Sequence, residues 1–163
     1  MSRGNQAGSS PTATTTPPGA RRRIRRRAGA TAGRETHLEA WRLARARVLR
    51  STRQDARKRV RRDGAFPTVR DAIAALSDPA AGPWRPPFEA LCRAAKQGST
   101  SAVLQAARRG ARQAAGDVAR AGRHAPDPQL AIAAATAFQV IGLRPACLLA
   151  LPPYRLRPGA KRL

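Results

Sequence analysis

Two arginine-rich runs contain the residues whose types and spacing could do chemistry in this sequence. The first, "RRRIRRR", places six arginines around Ile24, and the second, "RKRVRR", lies at residues 57–62. A guanidinium presents its N–H donors in a planar fork that matches phosphate oxygens, so either run could contact several phosphates of a polyanion. A nuclear import receptor could also bind such a run. The alternative is a solvated charge run that only keeps the chain soluble.

The charge of the whole chain favours an anionic partner. In 163 residues there are 32 basic and nine acidic residues, which give a formal net charge of +23 and a sequence pI near 12.0. Residues 21–62 alone hold 17 basic and 3 acidic residues, or 14 of those 23 charges. Nucleic acid is the leading candidate for neutralising this density. The preference for arginine over lysine suits phosphate contacts, although a biased coding composition would explain it equally well.

We therefore predict an RNA-binding surface made of both runs and one arginine between them. No zinc-finger, RNA-recognition or helix-turn-helix motif accompanies the runs. The expected binding is therefore to the backbone, steeply dependent on salt and weakly dependent on sequence. The predicted RNA-binding residues are Arg21, Arg22, Arg23, Arg25, Arg26, Arg27, Arg53, Arg57, Lys58, Arg59, Arg61 and Arg62.

Catalysis and metal binding are not expected from the remaining polar residues. Cys92 and Cys147 are far apart, and neither His37 nor His124 is near them in sequence, so no disulfide framework or metal site is predicted. The nine acidic residues are scattered, and no glycine-rich phosphate loop is present. We predict a protein that is not an enzyme and needs no cofactor. The N-terminus lacks the apolar core of a signal peptide, which favours a reducing nuclear or cytosolic compartment.

Composition and periodicity predict a mostly α protein with four regions. Residues 1–32 should form a disordered, arginine-rich arm, because their first twenty residues are rich in Gly, Ser, Thr and Pro. Residues 33–62 should form one long basic helix for oligomerisation and RNA binding. Several short helices in a small bundle should follow over 68–151, and 152–163 should be a basic tail.

The long helix carries a narrow apolar stripe among its arginines. Glu35 and Glu39 lie near its beginning and the arginines crowd toward its end, as the helix dipole favours. The stripe consists of Leu38, Trp41, Val48, Leu49, Ala56 and Val60. It is too narrow to fold alone, so it must pack elsewhere. Asp63-Gly64 and Pro67 should end this helix.

Three further helices follow from apolar spacing and capping residues. Residues with i, i+3, i+4, i+7 spacing occur twice, as Val69, Ala72, Ile73 and Leu76 and as Phe88, Leu91, Cys92 and Ala95. A third helix should begin after Ser99 or Ser101 and run to about Gly122. Asp127-Pro128 supplies an N-cap and a first-turn proline for a fourth.

The segment 130–151 is long enough for a membrane span but contains a break. It has a single charge, Arg144, which is costly inside a bilayer, and Pro145 interrupts a helix beside it. We therefore expect a buried helix to Ile141 followed by a loop, and no membrane partner. A membrane-associated tail is the alternative.

One segment resembles a known family. "GRETHLEAW" followed by Arg45 resembles the start of the oligomerisation helix of delta antigens, the RNA-binding nucleoproteins of hepatitis delta-like viruses. A basic region precedes the segment and an arginine-rich helix follows it, as in that family. Pro83-Trp84 resembles a Pro-Trp pair that the family places after its first long helix.

The resemblance implies an antiparallel helical dimer that assembles further and coats a self-paired RNA. It also implies entry into the host nucleus, with import receptors and a host polymerase as partners, and support of RNA replication without catalysis. By position, Leu38, Trp41 and Trp84 would pack in that homo-oligomer. Val48, on the same helix, completes the predicted oligomerisation residues.

Two alternatives stay open at the level of sequence. Trp41 could pack within its own chain, against residues 68–98, instead of joining two copies. The protein could also be a membrane-associated or host-interacting accessory protein whose arginine runs serve only nuclear localisation.

Overall fold

The computed structural model describes residues 18–120 and 126–152, with side chains from residue 33 onward. These residues form six α-helices and one 3₁₀ helix, without a β-strand among them. The predicted fold class is confirmed, because one long basic helix precedes several short ones. The chain divides into two compact units, Met1–Leu38 and Glu39–Leu163.

The helices follow one another with short connections. They are α1 (Pro18–Asp63), α2 (Ala65–Ser77), the 3₁₀ helix (Pro79–Trp84), α3 (Arg85–Lys96), α4 (Thr100–Ala119), α5 (Pro128–Leu143) and α6 (Pro145–Ala150). The predicted long helix, 33–62, lies within α1. The predicted disordered arm, 1–32, lies outside the residues whose side chains are described, and so does the predicted tail beyond residue 152.

A glycine makes the turn between α1 and α2. Gly64 has φ of +84°, a left-handed conformation that residues with a Cβ rarely adopt. The Thr68 hydroxyl donates a hydrogen bond to the Gly64 carbonyl oxygen at 2.5 Å. Pro67 was expected to help end α1, but it lies in the first turn of α2. Its missing N–H is harmless there, because the first N–H groups of a helix have no partner within that helix.

Side-chain caps begin α4 and α5 as the sequence predicts. The Ser99 hydroxyl accepts a hydrogen bond from the Ala102 N–H at 3.3 Å, which selects Ser99 over Ser101 as the cap of α4. The Asp127 carboxylate accepts from the Gln129 N–H at 2.9 Å at the beginning of α5. Both caps satisfy backbone donors that the helix itself leaves unpaired.

The end of the described chain differs from expectation in one element. α5 runs to Leu143, and α6 follows where the sequence predicted only a loop. Pro145 occupies the first turn of α6, where proline is tolerated, and the side chain of Leu148 is completely buried. Within the described residues, no helix combines the length and the apolar character that a membrane crossing requires.

The core of the second unit combines a few large side chains with many alanines. Its largest fully buried side chains include Trp84, Leu91, Phe138 and Ile141, and most of the other buried apolar residues are alanine. Small side chains allow close helix contact. At Gly110 of α4, an added Cβ would lie 2.5 Å from ring atoms of Phe138 of α5, so α4 and α5 touch where Gly110 exposes its backbone.

α1 joins this unit through small residues. Ala56 is 0% and Thr52 is 1% exposed. The Thr52 hydroxyl remains satisfied, because it donates to the Val48 carbonyl oxygen at 2.9 Å within the same helix. At the C-terminal end of α1, the Arg59 carbonyl oxygen accepts a hydrogen bond from Thr68 of α2 at 3.5 Å. Of the predicted apolar stripe, Ala56 is in the core, and Leu49 and Val60 pack against it in part.

Candidate nucleic-acid interface

A groove bounded by α1, α4 and the C-terminal part of α5 brings four arginines together. Its cavity volume is about 300 Å³. We call it the arginine groove. Its rim contains Arg50 and Arg53 of α1, Arg108 and Arg112 of α4, and Gln139 of α5, and its floor contains Leu49, Leu104, Phe138, Gly142 and Leu143.

Helical spacing places the four arginines on the rim. Arg50 and Arg53 are three residues apart and Arg108 and Arg112 are four apart, so each pair shares one face of its helix. All four side chains are exposed. No acidic residue lines the groove, and none of the four forms a salt bridge with another described residue. Their charge is therefore not compensated by a carboxylate of the described residues.

A second basic depression adjoins the arginine groove along α1. It is lined by Arg57, Arg61 and Arg144 and shares Leu143 with the floor of the groove. Lys58 lies beside Arg57 and Arg61 in a third, shallow depression. We call Arg57, Lys58, Arg61 and Arg144 the adjacent basic surface. Together with the groove it presents cations over about three turns of α1.

The structure divides the predicted second run between two faces of α1. Arg57, Lys58 and Arg61 of this run are on the adjacent basic surface, whereas Arg59 and Arg62 lie on another face. Arg53, the arginine predicted between the two runs, is on the rim of the groove. Lys58 lies 4.0 Å from the carboxylate of an exposed aspartate one turn earlier, an ion pair of little strength in solvent. The six arginines predicted at 21–27 lie outside the residues whose side chains are described.

Arg59 and Arg62 face away from the groove, toward α2 and α5. They line a different depression, which also contains Asp63 and Asp71. The Arg62 guanidinium donates two hydrogen bonds to the Asp63 carboxylate, at 2.7 and 2.9 Å. This pairing raises the pKa of Arg62 and lowers the pKa of Asp63. The charge of Arg62 is thus partly compensated by Asp63, and both arginines lie outside the groove and the adjacent basic surface.

Sequence reasoning did not identify Arg50, Arg108, Arg112 and Arg144 as site residues. The sequence feature that could have indicated the first three is helical spacing next to apolar positions. In α4, for example, Arg108 and Arg112 lie on either side of Ala111, which is buried. The local sequence pattern did not indicate that α1 packs against α4. That pairing depends on contacts between residues far apart in the sequence.

Trp41 fixes α1 to the C-terminal end of α4. Its indole N–H donates to the Gly116 carbonyl oxygen at 3.3 Å, and an added Cβ at Gly116 would lie 3.3 Å from the ring. The Arg45 guanidinium lies over the ring of Trp41, 4.4 Å from its centroid, in a cation–π contact. Trp41 therefore packs within its own chain, but against α4 and not against residues 68–98.

Trp84 is an interior residue of the second unit. It is 0% exposed, and its indole N–H donates to the Asp117 carboxylate at 3.0 Å. Arg120 lies 3.5 Å from the other carboxylate oxygen. Because no part of Trp84 is exposed, its surface is used by the fold of the single chain. Of the other predicted oligomerisation residues, Val48 is half-buried and Leu38 is 47% exposed.

Outside the basic surfaces, the described residues offer little chemistry. No group of three or more histidine, cysteine, aspartate or glutamate residues in the described ranges could hold a metal ion. Neither a protein-family model, nor a curated protein, nor a solved structure matches this chain. A functional proposal therefore depends on the geometry and charge of its own residues.

Proposed function

We propose that the protein binds RNA through the phosphate backbone and has no catalytic activity of its own. The observation that carries this proposal is the arginine groove, where four exposed guanidiniums from two helices converge without an acidic neighbour. Arginines held on helices lose less conformational freedom on binding than arginines of a disordered chain. Their planar forks can donate two parallel hydrogen bonds to the oxygens of one phosphate.

The adjacent basic surface extends the phosphate contacts beyond the groove. Arg57 and Arg61 are four residues apart on α1, and Arg144 meets them from the end of α5. A strand of RNA that follows α1 would therefore meet cations along several successive phosphates. The predicted arm, with its six arginines at 21–27, would add contacts of the same kind.

RNA, and not DNA, is proposed because of the resemblance of Gly33–Arg45 to delta antigens. On this basis we propose a viral nucleoprotein that coats self-paired RNA in the host nucleus and supports its replication by a host polymerase. Assembly of several copies on one RNA would make many weak contacts act together. Leu38, with its exposed apolar side chain, is the residue we propose for contact between copies.

Two triple variants with equal loss of charge test the proposal. Arg53, Arg57 and Arg112 are replaced by alanine in one, and the exposed Arg70, Arg85 and Arg93 of α2 and α3 in the other. Affinity for a duplex RNA is measured as a function of salt concentration. Each lost phosphate contact should reduce the slope of log affinity against log salt by about 0.9, the value for duplex DNA.

The expected result is a slope reduced by about 2 to 3 in the groove variant and by less than about 1 in the control, because only the first loses direct phosphate contacts. Equal effects of the two variants would contradict a localised interface and indicate a general effect of net charge. An unchanged slope in both would contradict the proposed function.

A further inference from the structure

We propose that the arginine groove seats one unpaired base of a single-stranded RNA segment, while its rim arginines hold the flanking phosphates. The inference rests on the proposed RNA binding, since the same arginines are involved. It adds that the groove selects an unpaired RNA segment. Phosphate contacts need only the rim arginines, whereas an apolar floor can bury the face of a base.

The floor has the character of a surface that receives a flat apolar group. Leu49, Leu104 and Leu143 are half-buried, so part of each side chain faces the cavity. Gly142, which has no side chain, also lines the cavity, opposite Ala107 and Leu104 of α4. The volume of about 300 Å³ lies at the lower end of the range for small-molecule sites, roughly 300 to 1,000 Å³. A group of the size of a nucleobase fits these limits.

The rim supplies both kinds of group that a nucleotide needs. Arg50, Arg53, Arg108 and Arg112 provide charge for phosphates and flat guanidinium planes on which a base can stack. Gln139 is the one uncharged polar side chain among the lining residues, and it makes no hydrogen bond with the described part of the chain. Its amide can both donate to and accept from the edge of a base.

These features favour an unpaired segment, such as a loop or bulge of a self-paired RNA, over a continuous duplex. In a duplex the bases are stacked inside the helix, so only phosphates and groove edges reach a protein surface. An unpaired base can leave its stack and bury its face, which contributes more than phosphate contact alone. The apolar floor inside a ring of cations therefore matches an unpaired nucleotide within a phosphate chain.

The first test fills the groove without changing its charge. A Cβ at Gly142 would meet Ala107 at 3.6 Å and Leu104 at 4.0 Å, which are ordinary contacts. Because Gly142 lines the cavity, the longer side chain of Gly142→Met should enter the space proposed for the base, and far-ultraviolet circular dichroism checks that the variant is folded. Gly82→Met is the matched control, because Gly82 is exposed in the 3₁₀ helix, outside the groove, and an added Cβ there would meet nothing within 4 Å. The probes are a single-stranded RNA, an abasic oligonucleotide of the same length and a duplex RNA.

The expected result is selective for the base. Gly142→Met should lower affinity for the single strand on the order of tenfold, in line with the loss of one stacked base, and leave the duplex and abasic probes unchanged. Gly82→Met should bind all three probes like the wild type, because it lies outside the groove. A wild-type protein that binds the abasic probe as tightly as the single strand would overturn the inference.

A second variant guards against a folding defect in the first. Gln139→Ala changes a half-buried position in the middle of a helix, where alanine is favourable. It should lower single-strand affinity by about 3- to 10-fold, the equivalent of one lost hydrogen bond, and leave duplex affinity unchanged. Equal loss for both probes, or no loss for either, would count against a base contact at Gln139.

Failure of this inference is distinguishable from failure of the proposed function. If the triple arginine variant loses RNA affinity while Gly142→Met and Gln139→Ala do not, backbone binding stands and the base site is wrong. If an acidic peptide displaces no RNA from the wild type while excess single strand does, the groove prefers RNA. The assignment to RNA would be overturned if the acidic peptide displaced all of the bound RNA and if Gly142→Met weakened binding of the peptide as much as binding of the single strand.

Discussion

Replacing Trp84 by phenylalanine would test how the second unit holds its interior together. The change removes the indole N–H that donates to Asp117 at 3.0 Å and keeps an aromatic ring in the same space. Asp117 is only 9% exposed, so water can replace the lost donor only in part. Trp41→Phe is the matched comparison, because Trp41 donates to the neighbouring Gly116 carbonyl oxygen from a half-buried position.

The two substitutions should differ in their cost because their acceptors differ. A hydrogen bond to a charged, buried group contributes about 1.5–3 kcal/mol, and the smaller ring of phenylalanine adds a packing loss. We therefore expect Trp84→Phe to lower the free energy of unfolding by about 2–4 kcal/mol. The longer bond of Trp41 to a neutral carbonyl, at 3.3 Å, should contribute only about 0.5–1 kcal/mol.

The assay is urea unfolding of the full-length chain, followed by far-ultraviolet circular dichroism at two protein concentrations. A double-mutant cycle with Asp117→Ala, which removes the acceptor, isolates the contact from the packing change and should give a coupling of about 1.5 kcal/mol or more. Because the contact lies inside one chain, the cost of Trp84→Phe should not depend on protein concentration. Equal costs for the two tryptophan substitutions, or a cost that falls as concentration rises, would refute this reasoning.

Two further predictions concern packing and acid stability. Gly110→Ala should destabilise the chain by about 2 kcal/mol, because overpacking against Phe138 at 2.5 Å outweighs the gain in helix propensity of about 1 kcal/mol. Gly142→Ala should be neutral or slightly stabilising in the same urea assay, because its added Cβ makes only ordinary contacts. Arg62 lowers the folded-state pKa of Asp63, so the pair contributes stability above the unfolded-state pKa of Asp63 and loses it as the pH falls through the folded-state value. Asp63→Asn should remove this small acid-dependent part of stability, measured by urea unfolding at several pH values, and an unchanged pH dependence would contradict the pairing.

Elements with a strong local pattern could be predicted from the sequence. The apolar spacing of Val69, Ala72 and Leu76 predicted α2, and all three side chains are buried. Asp127-Pro128 predicted the beginning of α5, because a cap and a first-turn proline act through neighbouring backbone groups. α6 was missed because its six residues, the first of them a proline, are too few to show helical periodicity.

Positions that depend on contacts between distant residues could not be predicted. The sequence indicated that Trp41 needs a partner outside its own helix, but nothing local pointed to the carbonyl oxygen of Gly116, 75 residues later. The same pairing of α1 with α4 assembles the arginine groove. Of the residues on the rim of the groove, only Arg53 was predicted. Arginine runs identify charges that are close along the chain, but not charges that two helices bring together.

The central claim is that RNA lies along the arginine groove and the adjacent basic surface, and cross-linking tests it most directly. The full-length chain is photo-cross-linked to RNA at moderate salt, and the modified peptides are identified by mass spectrometry. The account predicts cross-links in 49–61 of α1 and 104–112 of α4, which line these surfaces. Cross-links confined to the exposed faces of α2 and α3, around Arg70 and Arg93, would contradict it.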